Sequence, residues 1–295
     1  MTSPTGPRVV AIGGGHGTAV TIAAARRYAS EITAIVSVAD DGGSSGRLRE
    51  ALGIPAPGDL RRCLVALSDG DNPLARAFEH RFSATAGALE GHTVGNLVIA
   101  GLADALGSFT AALDEAARLI DAKGRVLPAT TEPVVLKAES ESGEVRGQVA
   151  VAQAGRIVHV SLVPPDPTPP AEAIAAIERA DQIVLGPGSL FTSVLAALAV
   201  PVLKAAVRAS AAQTVYVCNL RSGTETAYFD VAAHVDALLA HGVEPDIVLY
   251  DDTAIPAGML ELPDRRVICA DLAADEIGSA HDPVRLAKAL ADLVG

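Results

Sequence analysis

The chain has 295 residues, of which 49% are apolar and only 3% are aromatic, and it contains no tryptophan. Its formal net charge of −12 opposes attraction to nucleic acid and to anionic membranes. The scarcity of aromatic rings also weakens any interpretation that needs base stacking. We therefore expect no nucleic-acid partner and no membrane insertion. Residues Met1 to Pro7 lack the basic and apolar regions of a signal peptide, so a cytoplasmic location is expected.

The first 38 residues predict a βαβ unit with a right-handed crossover: strands at 8–12 and 32–38 flank a helix at 18–28. The first turn consists of Gly13, Gly14, Gly15, His16 and Gly17. Glycines between a strand and a helix N-terminus let backbone N–H groups approach a phosphate. A dinucleotide fingerprint is incomplete, because Thr18 stands where the third glycine belongs. A tight turn that only packs the strand on the helix remains the alternative.

A run of small and polar residues follows the second predicted strand. It consists of Asp40, Asp41, Gly42, Gly43, Ser44, Ser45 and Gly46. We interpret this run as a loop at the carboxyl end of a parallel strand, the edge where open α/β sheets bind ligands. The two acids could bind the hydroxyls of a ribose or sugar, or they could hold Mg²⁺ together with substrate phosphates. An ordinary solvated loop is the third alternative.

The middle of the chain predicts helices at 60–67, 73–82, 93–106 and 110–121. Asp59 is predicted as the N-cap of the first of these helices. His92 precedes the third helix, and Asn96 lies in its first turn. Because Gly95 and Asn96 are poor helix formers, we interpret this turn as a candidate ligand contact. A simple N-cap at Thr93 is the alternative.

Residues 126–169 predict a small antiparallel insertion with strands at 134–139, 145–152 and 157–162, closed by a proline-rich connector. An α/β alternation then returns, with helices at 171–180, 231–241 and 283–293 and strands at 182–185, 215–218, 247–250 and 267–270. Gly186, Gly188 and Ser189 form a second candidate phosphate cradle, with Ser189 as the N-cap of a helix reaching residue 198. Asn219 follows the next strand and is a further candidate ligand contact.

These elements predict an α/β fold of the Rossmann-like, doubly wound type, with a mostly parallel sheet and helices on both faces. We expect one domain over residues 1–295. It comprises a first half at 1–125, the β insertion at 126–169 and a second half at 170–295. The sequence has no Walker phosphate-binding motif, no G-x-S-x-G nucleophile elbow and no cysteine–histidine cluster with zinc spacing.

The order of these motifs resembles the YvcK family of gluconeogenesis factors, within the CofD-like superfamily. The most specific match is the run from Thr33 to Leu48, and further matches lie at 9–17, 92–97, 182–193 and 215–219. The resemblance implies a cytoplasmic protein that binds UDP-sugars such as UDP-N-acetylglucosamine. It also implies a role in gluconeogenic growth, cell shape and peptidoglycan synthesis. No catalysed reaction is established for the family, whereas its phospholactate transferase relatives use Mg²⁺ at the equivalent crevice.

The chain departs from the family pattern at three places. His16 stands where the family usually has threonine, the segment after Asn219 is shorter, and Ala280 replaces an arginine before His281. These departures concern mainly the C-terminal side of the predicted ligand site.

Three functions follow from the residues and the resemblance together. The favoured one is a regulatory, non-catalytic nucleotide-sugar-binding protein that needs no cofactor. The second is an Mg²⁺-dependent phosphotransferase with Asp40 and Asp41 on the metal. The third and weakest is an NAD(P)-dependent oxidoreductase. Cell-wall synthesis regulators as partners and assembly into a homo-oligomer stay open alternatives.

Overall fold

A computed structural model describes residues 6–259, 266–275 and 280–294 of the chain. The predicted domain over 1–295 therefore includes residues 1–5, 260–265, 276–279 and 295, which lie outside the described residues. Five of the seven residues from Met1 to Pro7, the segment in which no signal peptide is expected, also lie outside the described residues.

The described strands form two sheets. In chain order the strands are β1 (Arg8–Gly13), β2 (Glu31–Val36), β3 (Arg125–Pro128), β4 (Val135–Ser140), β5 (Gly143–Arg146), β6 (Ile157–Val163), β7 (Gln182–Leu185), β8 (Gln213–Val217), β9 (Ile247–Tyr250) and β10 (Arg266–Cys269). Seven of them make a parallel sheet in the order β10-β9-β8-β7-β1-β2-β3. The direction of winding reverses between β1 and β7, which confirms the doubly wound, Rossmann-like fold.

Helices connect the strands of the parallel sheet. They are α1 (Gly15–Ala25), α2 (Gly43–Leu52), α3 (Gly58–Leu67), α4 (Pro73–Glu79), α5 (Val94–Leu106), α6 (Phe109–Leu119), α7 (Gln148–Ala152), α8 (Ala171–Arg179), α9 (Leu195–Leu198), α10 (Pro201–Ala209), α11 (Val231–Ala240) and α12 (Pro283–Val294). A π-helical turn at Leu190–Val194 leads into α9.

The central strands are covered on both faces, which explains their continuous apolar sequences. Every residue of β7 is buried, as are the last five residues of β1 and of β2. Ile12, Ile35 and Leu185 have 0% exposed surface and belong to the same core. Burial of this surface is the main driving force for bringing the two halves of the chain together.

The insertion forms a separate antiparallel sheet in the order β5-β4-β6. The prediction of one strand over 145–152 is wrong in its second half, because β5 ends at Arg146 and α7 begins at Gln148. Gly147 separates the two elements with a φ of +94°. That backbone angle is accessible to glycine at little cost, so the chain leaves the strand direction there.

Three elements around the parallel sheet were absent from the prediction, namely α2, α10 and β3. Residues 43–46 belong to α2 rather than to a loop. The rest of the predicted loop, Asp40 to Gly42, lies in the short connection between β2 and this helix. Strand β3 adds an edge to the main sheet beside β2, although it lies at the predicted start of the insertion. Helix α1 also begins at Gly15, three residues earlier than predicted.

No single helix among residues 6–259, 266–275 and 280–294 is long and apolar enough to cross a membrane. The helical segments Leu190–Leu198 and Pro201–Ala209 pass the length and composition test only as a pair, and they meet at a bend of 80°.

Candidate functional site

The turns that follow β1 and β7 contact each other where the winding of the sheet reverses. A Cβ atom added at Gly17 would collide with the carbonyl oxygen of Pro187, so only glycine fits at this position. Thr21 Oγ1 donates a hydrogen bond of 2.6 Å to the carbonyl oxygen of Gly186 and fixes the same contact. The two predicted phosphate cradles therefore lie side by side at the carboxyl edge of the sheet, where α/β proteins bind ligands.

A cavity of about 450 Å³ opens beside this contact. Its walls include His16, Gly17, Gly188, Ser189, Asn219 and Arg221. Five of these six residues are among the predicted ligand contacts, and the structure brings them together from three separate loops. The volume falls within the range of about 300–1,000 Å³ usual for small-molecule sites. We call this cavity the switch-point crevice.

Asn219 fixes the backbone of the second cradle. Its Oδ1 accepts a hydrogen bond of 2.9 Å from the backbone N–H of Gly188. Gly188 has a φ of +140°, a conformation that L side chains rarely adopt. The bond therefore ties the loop after β8 to a strained turn after β7, and both line the crevice.

The carboxyl group of Glu225 lies at the start of the π-helical turn that follows Ser189. This residue is only 5% exposed, and its Oε1 accepts a hydrogen bond of 3.2 Å from the Phe191 N–H. Its Oε2 is buried without a hydrogen-bond partner among the described residues. Burial raises the pKa of the Glu225 carboxyl, while backbone N–H donors oppose the rise. A buried carboxyl thus stands at one wall of the crevice.

Ser189 is the N-cap residue of this helical turn, as predicted, but its side chain makes no capping bond within the described part of the chain, and Glu225 accepts the Phe191 N–H instead. The sequence did not identify Glu225 as a candidate site residue. Its partner is 34 positions away in the sequence, so no local pattern could have identified this contact.

His281 lines the far wall of the crevice. Its side chain bonds to the carbonyl oxygen of Cys218 through Nε2 at 3.1 Å, which places a proton on Nε2. Burial lowers the pKa of His281 to about 4, so the imidazole is neutral at pH 7. The residue before it, Ala280, also lines the crevice, at the position where the family pattern has an arginine.

Asp59 was wrongly predicted as the N-cap of α3, because it lies within the first turn of that helix. Its side chain lies instead at the N-terminus of α1. Its carboxylate accepts a hydrogen bond from the Gly15 N–H and a 2.6 Å hydrogen bond from Arg62 Nη1. Burial raises the pKa of Asp59, and the neighbouring Asp40 raises it further, whereas Arg62 lowers it. A carboxylate thus already meets the helix N-terminus that was predicted to receive a phosphate.

The two predicted acids of the next loop have separate partners. Asp40 Oδ1 accepts a 2.9 Å hydrogen bond from the Gly42 N–H, which forms a local turn. Asp41 Oδ1 accepts a 3.0 Å hydrogen bond from the Val149 N–H in the first turn of α7. Asp41 therefore caps a helix of the insertion. The described residues contain no group of three or more histidine, cysteine, aspartate or glutamate side chains that could hold a metal ion.

Ser44, His92 and Asn96 form a hydrogen-bonded cluster between α2 and α5. Ser44 Oγ lies 3.0 Å from His92 Nδ1, and Asn96 Nδ2 donates a hydrogen bond of 3.1 Å to the same oxygen. Thr93 is the N-cap residue of α5, as the alternative predicts, but its side chain makes no capping bond within the described residues. None of the three clustered residues lines the switch-point crevice.

The predicted site residues thus divide into two groups. One group surrounds the switch-point crevice, and the other lies around the N-terminus of α2. Ser45 belongs to the second group, where its hydroxyl packs against Gly58 so closely that a Cβ atom there would collide with it. Gly43 begins α2 with a φ of +48°, and Gly42 is its N-cap residue.

Comparisons with known proteins agree with this architecture. The model of the family 2-phospho-L-lactate transferase CofD matches residues 9–281. A Mycobacterium leprae protein is 43% identical over 98% of this chain and 87% of its own length. The gluconeogenesis factor of Bacillus subtilis is 43% identical over 80% of this chain and 75% of its own length.

A solved structure shares the whole fold. It is the crystal structure of a member of the UPF0052 family from Bacillus halodurans, with a TM-score of 0.90 and 36% sequence identity. The alignment covers 97% of this chain and 99% of the crystallised one. The sequence matches and the shared fold together assign the chain to the YvcK family of gluconeogenesis factors, within the CofD-like superfamily.

Proposed function

We propose that this gluconeogenesis factor binds a nucleotide sugar of the UDP-N-acetylglucosamine type in the switch-point crevice. The observation that carries the proposal is the meeting of two glycine turns, around Gly17 and Gly188, beside a cavity of about 450 Å³. The N–H groups of Gly15, Gly188 and Phe191 already bond side-chain oxygens. The glycine turns therefore contribute close approach of a ligand to the backbone. The cavity wall also carries Arg221, whose guanidinium can pair with a diphosphate.

The remaining polar residues of the crevice suit the rest of such a ligand. Hydroxyl and imidazole groups of Ser189 and His16 stand at its wall and can bind ribose or sugar hydroxyls. Glu225 and His281 offer a further carboxyl and imidazole inside the same wall. Binding by this set needs no cofactor, and Mg²⁺ enters the proposal only as a counter-ion of the diphosphate. Asp40 and Asp41 belong to the other group of predicted residues and do not line the crevice.

The proposed biological role is regulatory. Loading of the crevice with a nucleotide sugar would report the supply of cell-wall precursor during gluconeogenic growth. The bound protein would then act on cell shape and peptidoglycan synthesis through partner proteins. This role rests on the family membership, and the binding step is the part that the geometry supports.

The test is isothermal titration calorimetry with UDP-N-acetylglucosamine, UDP-glucose, UDP, free N-acetylglucosamine and NAD⁺, each with and without Mg²⁺. We expect binding of the UDP-sugars that free sugar and NAD⁺ do not reproduce. Arg221→Ala should weaken this binding by about 10- to 100-fold, the effect of losing a charge-assisted hydrogen bond worth about 1.5–3 kcal/mol.

Arg208→Ala is the matched control, because Arg208 lines a different concavity with Ser210, Thr214 and Asp246 at the opposite edge of the sheet. This variant should bind like the unchanged protein. Absence of heat with every UDP-sugar, or equal losses in both variants, would overturn the proposal.

A further inference from the structure

The cluster of Ser44, His92 and Asn96 lies outside the switch-point crevice and has a chemistry of its own. Ser44 is the second residue of α2 and is 4% exposed. Asn96 Nδ2 donates to Ser44 Oγ, so the serine is free to donate its own proton to His92 Nδ1 at 3.0 Å. A hydroxyl within hydrogen-bond reach of an imidazole nitrogen is the arrangement of a nucleophile and its general base.

The surroundings keep the imidazole neutral. Burial lowers the pKa of His92, and the positive charges of Arg47 and Arg81 lower it further. Both arginines are held near the histidine by backbone carbonyls. Arg47 Nη2 donates to Glu90 at 2.6 Å, and Arg81 Nη1 donates to Gly91 at 2.5 Å. A neutral imidazole can accept the serine proton, and the flanking guanidinium groups favour an anionic reactant.

Two buried polar atoms on residues of this segment have no hydrogen-bond partner among the described residues. They are Oδ1 of Asn96, the same amide that contacts Ser44, and Oγ1 of Thr93, which directly follows His92. The residues are 2% and 1% exposed, so water does not reach them readily. A buried polar atom without a partner costs free energy, which indicates that a bound group supplies the missing hydrogen bonds.

We propose that Ser44 is a nucleophile, activated by His92, toward the phosphorus atom of an anionic phosphate ester. Ser44 Oγ forms a new bond to phosphorus while the bond from phosphorus to the leaving oxygen breaks. The serine proton moves to His92 Nδ1 and then to the leaving oxygen, so that a phosphoserine and a free alcohol result. A phosphoryl group on Ser44 would lie in the first turn of α2, where the helix dipole favours negative charge.

Water or the hydroxyl group of an acceptor is the one further reactant that completes the reaction. Such an oxygen attacks phosphorus and gives its proton to His92, which passes a proton to Ser44 Oγ as the bond from Ser44 to phosphorus breaks. Inorganic phosphate or a new phosphate ester leaves, and the pair returns to its starting state. This chemistry goes beyond ligand binding in the switch-point crevice and does not depend on it. The pair can react while no nucleotide sugar binds, and a nucleotide sugar can bind while the pair is inert.

The experiment treats the purified full-length chain with a biotinylated fluorophosphonate at pH 7.5. The reactive serine displaces fluoride from phosphorus and keeps a stable adduct. We expect one adduct per chain by intact mass, and tryptic fragmentation should place it on Ser44 rather than on the adjacent Ser45. Location of the adduct on Ser45 or elsewhere, or no adduct while a known serine hydrolase is labelled, would overturn the proposal.

Variants test the role of the histidine. Ser44→Ala should abolish labelling, and His92→Gln should slow it by at least 100-fold, the usual effect of losing a general base. Ser68→Ala is the control, because Ser68 is 2% exposed and bonds only a carbonyl oxygen, that of Val65. It should be labelled like the unchanged chain. Unchanged labelling of His92→Gln would contradict the activation step. If a variant fails to fold by circular dichroism, the mapping on the unchanged protein still decides the proposal.

Discussion

Asn219 Oδ1 accepts the backbone N–H of Gly188 at 2.9 Å and so joins the loops that follow two neighbouring strands, β7 and β8. Both residues line the switch-point crevice. One side chain thereby sets the shape of the cradle in which we place the diphosphate.

This relationship predicts different outcomes for two substitutions of Asn219. Asn219→Ala should lower the free energy of unfolding by about 1 kcal/mol, the net worth of one such hydrogen bond, and should weaken UDP-sugar binding. Asn219→Asp keeps the acceptor oxygen, so unfolding should change less, but its negative charge should weaken binding of a diphosphate. Urea unfolding and calorimetry separate the two effects. Equal binding by both variants and the unchanged protein would contradict the assigned cradle.

The close approach of Gly17 to Pro187 predicts opposite effects for two glycine-to-alanine changes. Gly17→Ala should destabilise by about 1–3 kcal/mol, because the added Cβ atom collides with a backbone carbonyl that has no rotamer to change. Gly101→Ala lies within α5, where an added Cβ meets no described atom within 4 Å. It should stabilise by about 0.5–1 kcal/mol through helix propensity. Thermal unfolding of both variants checks the pair.

The buried His281 predicts that stability falls in acid. Its folded pKa is about 4, below the ordinary 6.5, so the unfolded chain binds the proton more readily. The contribution of His281 is therefore complete above pH 6.5 and is lost as the pH falls toward 4. Its full size is about 3 kcal/mol at 1.36 kcal/mol per pKa unit. Urea unfolding between pH 4 and 7 should show a shallower slope for His281→Gln, while His80→Gln, at an exposed position, should leave the slope unchanged.

The contact between Asp41 and Val149 predicts a local effect on the insertion. Asp41→Ala removes the acceptor at the start of α7 and should cost about 0.5–2 kcal/mol, as for other helix caps. Hydrogen exchange of the Val149 amide should accelerate, whereas amides of β1 should keep their protection. Asp41→Asn retains an acceptor oxygen and serves as the matched control. Unchanged exchange at Val149 in the alanine variant would contradict the capping role.

Most strands of the parallel sheet, though not β3, could be predicted from the sequence because their signals are local. Apolar β-branched runs such as Val9 to Ile12 end in glycine turns, and this pattern is typical of buried parallel strands. Helix α2 could not be predicted in the same way. Gly43, Ser44, Ser45 and Gly46 are poor helix formers, and tertiary contacts hold them, including the packing of Ser45 on Gly58.

The site was predictable to the extent that its residues lie on glycine turns. Gly17 and Gly188 were identified from such turns and Asn219 from its position after a strand, and all three line one crevice. The partners of Asp59 and Glu225 were not predictable, because each carboxylate caps a helix that is distant in the sequence. A residue that suits its own helix as an N-cap gives no local sign that it serves another one.

The central position of β1 has a consequence for synthesis of the chain. Arg8, at the start of β1, pairs with Asp181, beside β7, across a separation of 173 residues. At a translation rate of about 5–20 residues per second, β7, the second neighbour of β1 in the sheet, leaves the ribosome about 9–35 seconds after β1. During that interval one edge of an apolar strand has no partner and is open to aggregation. Chaperone dependence of the nascent chain should therefore end once residues 182–185 have emerged.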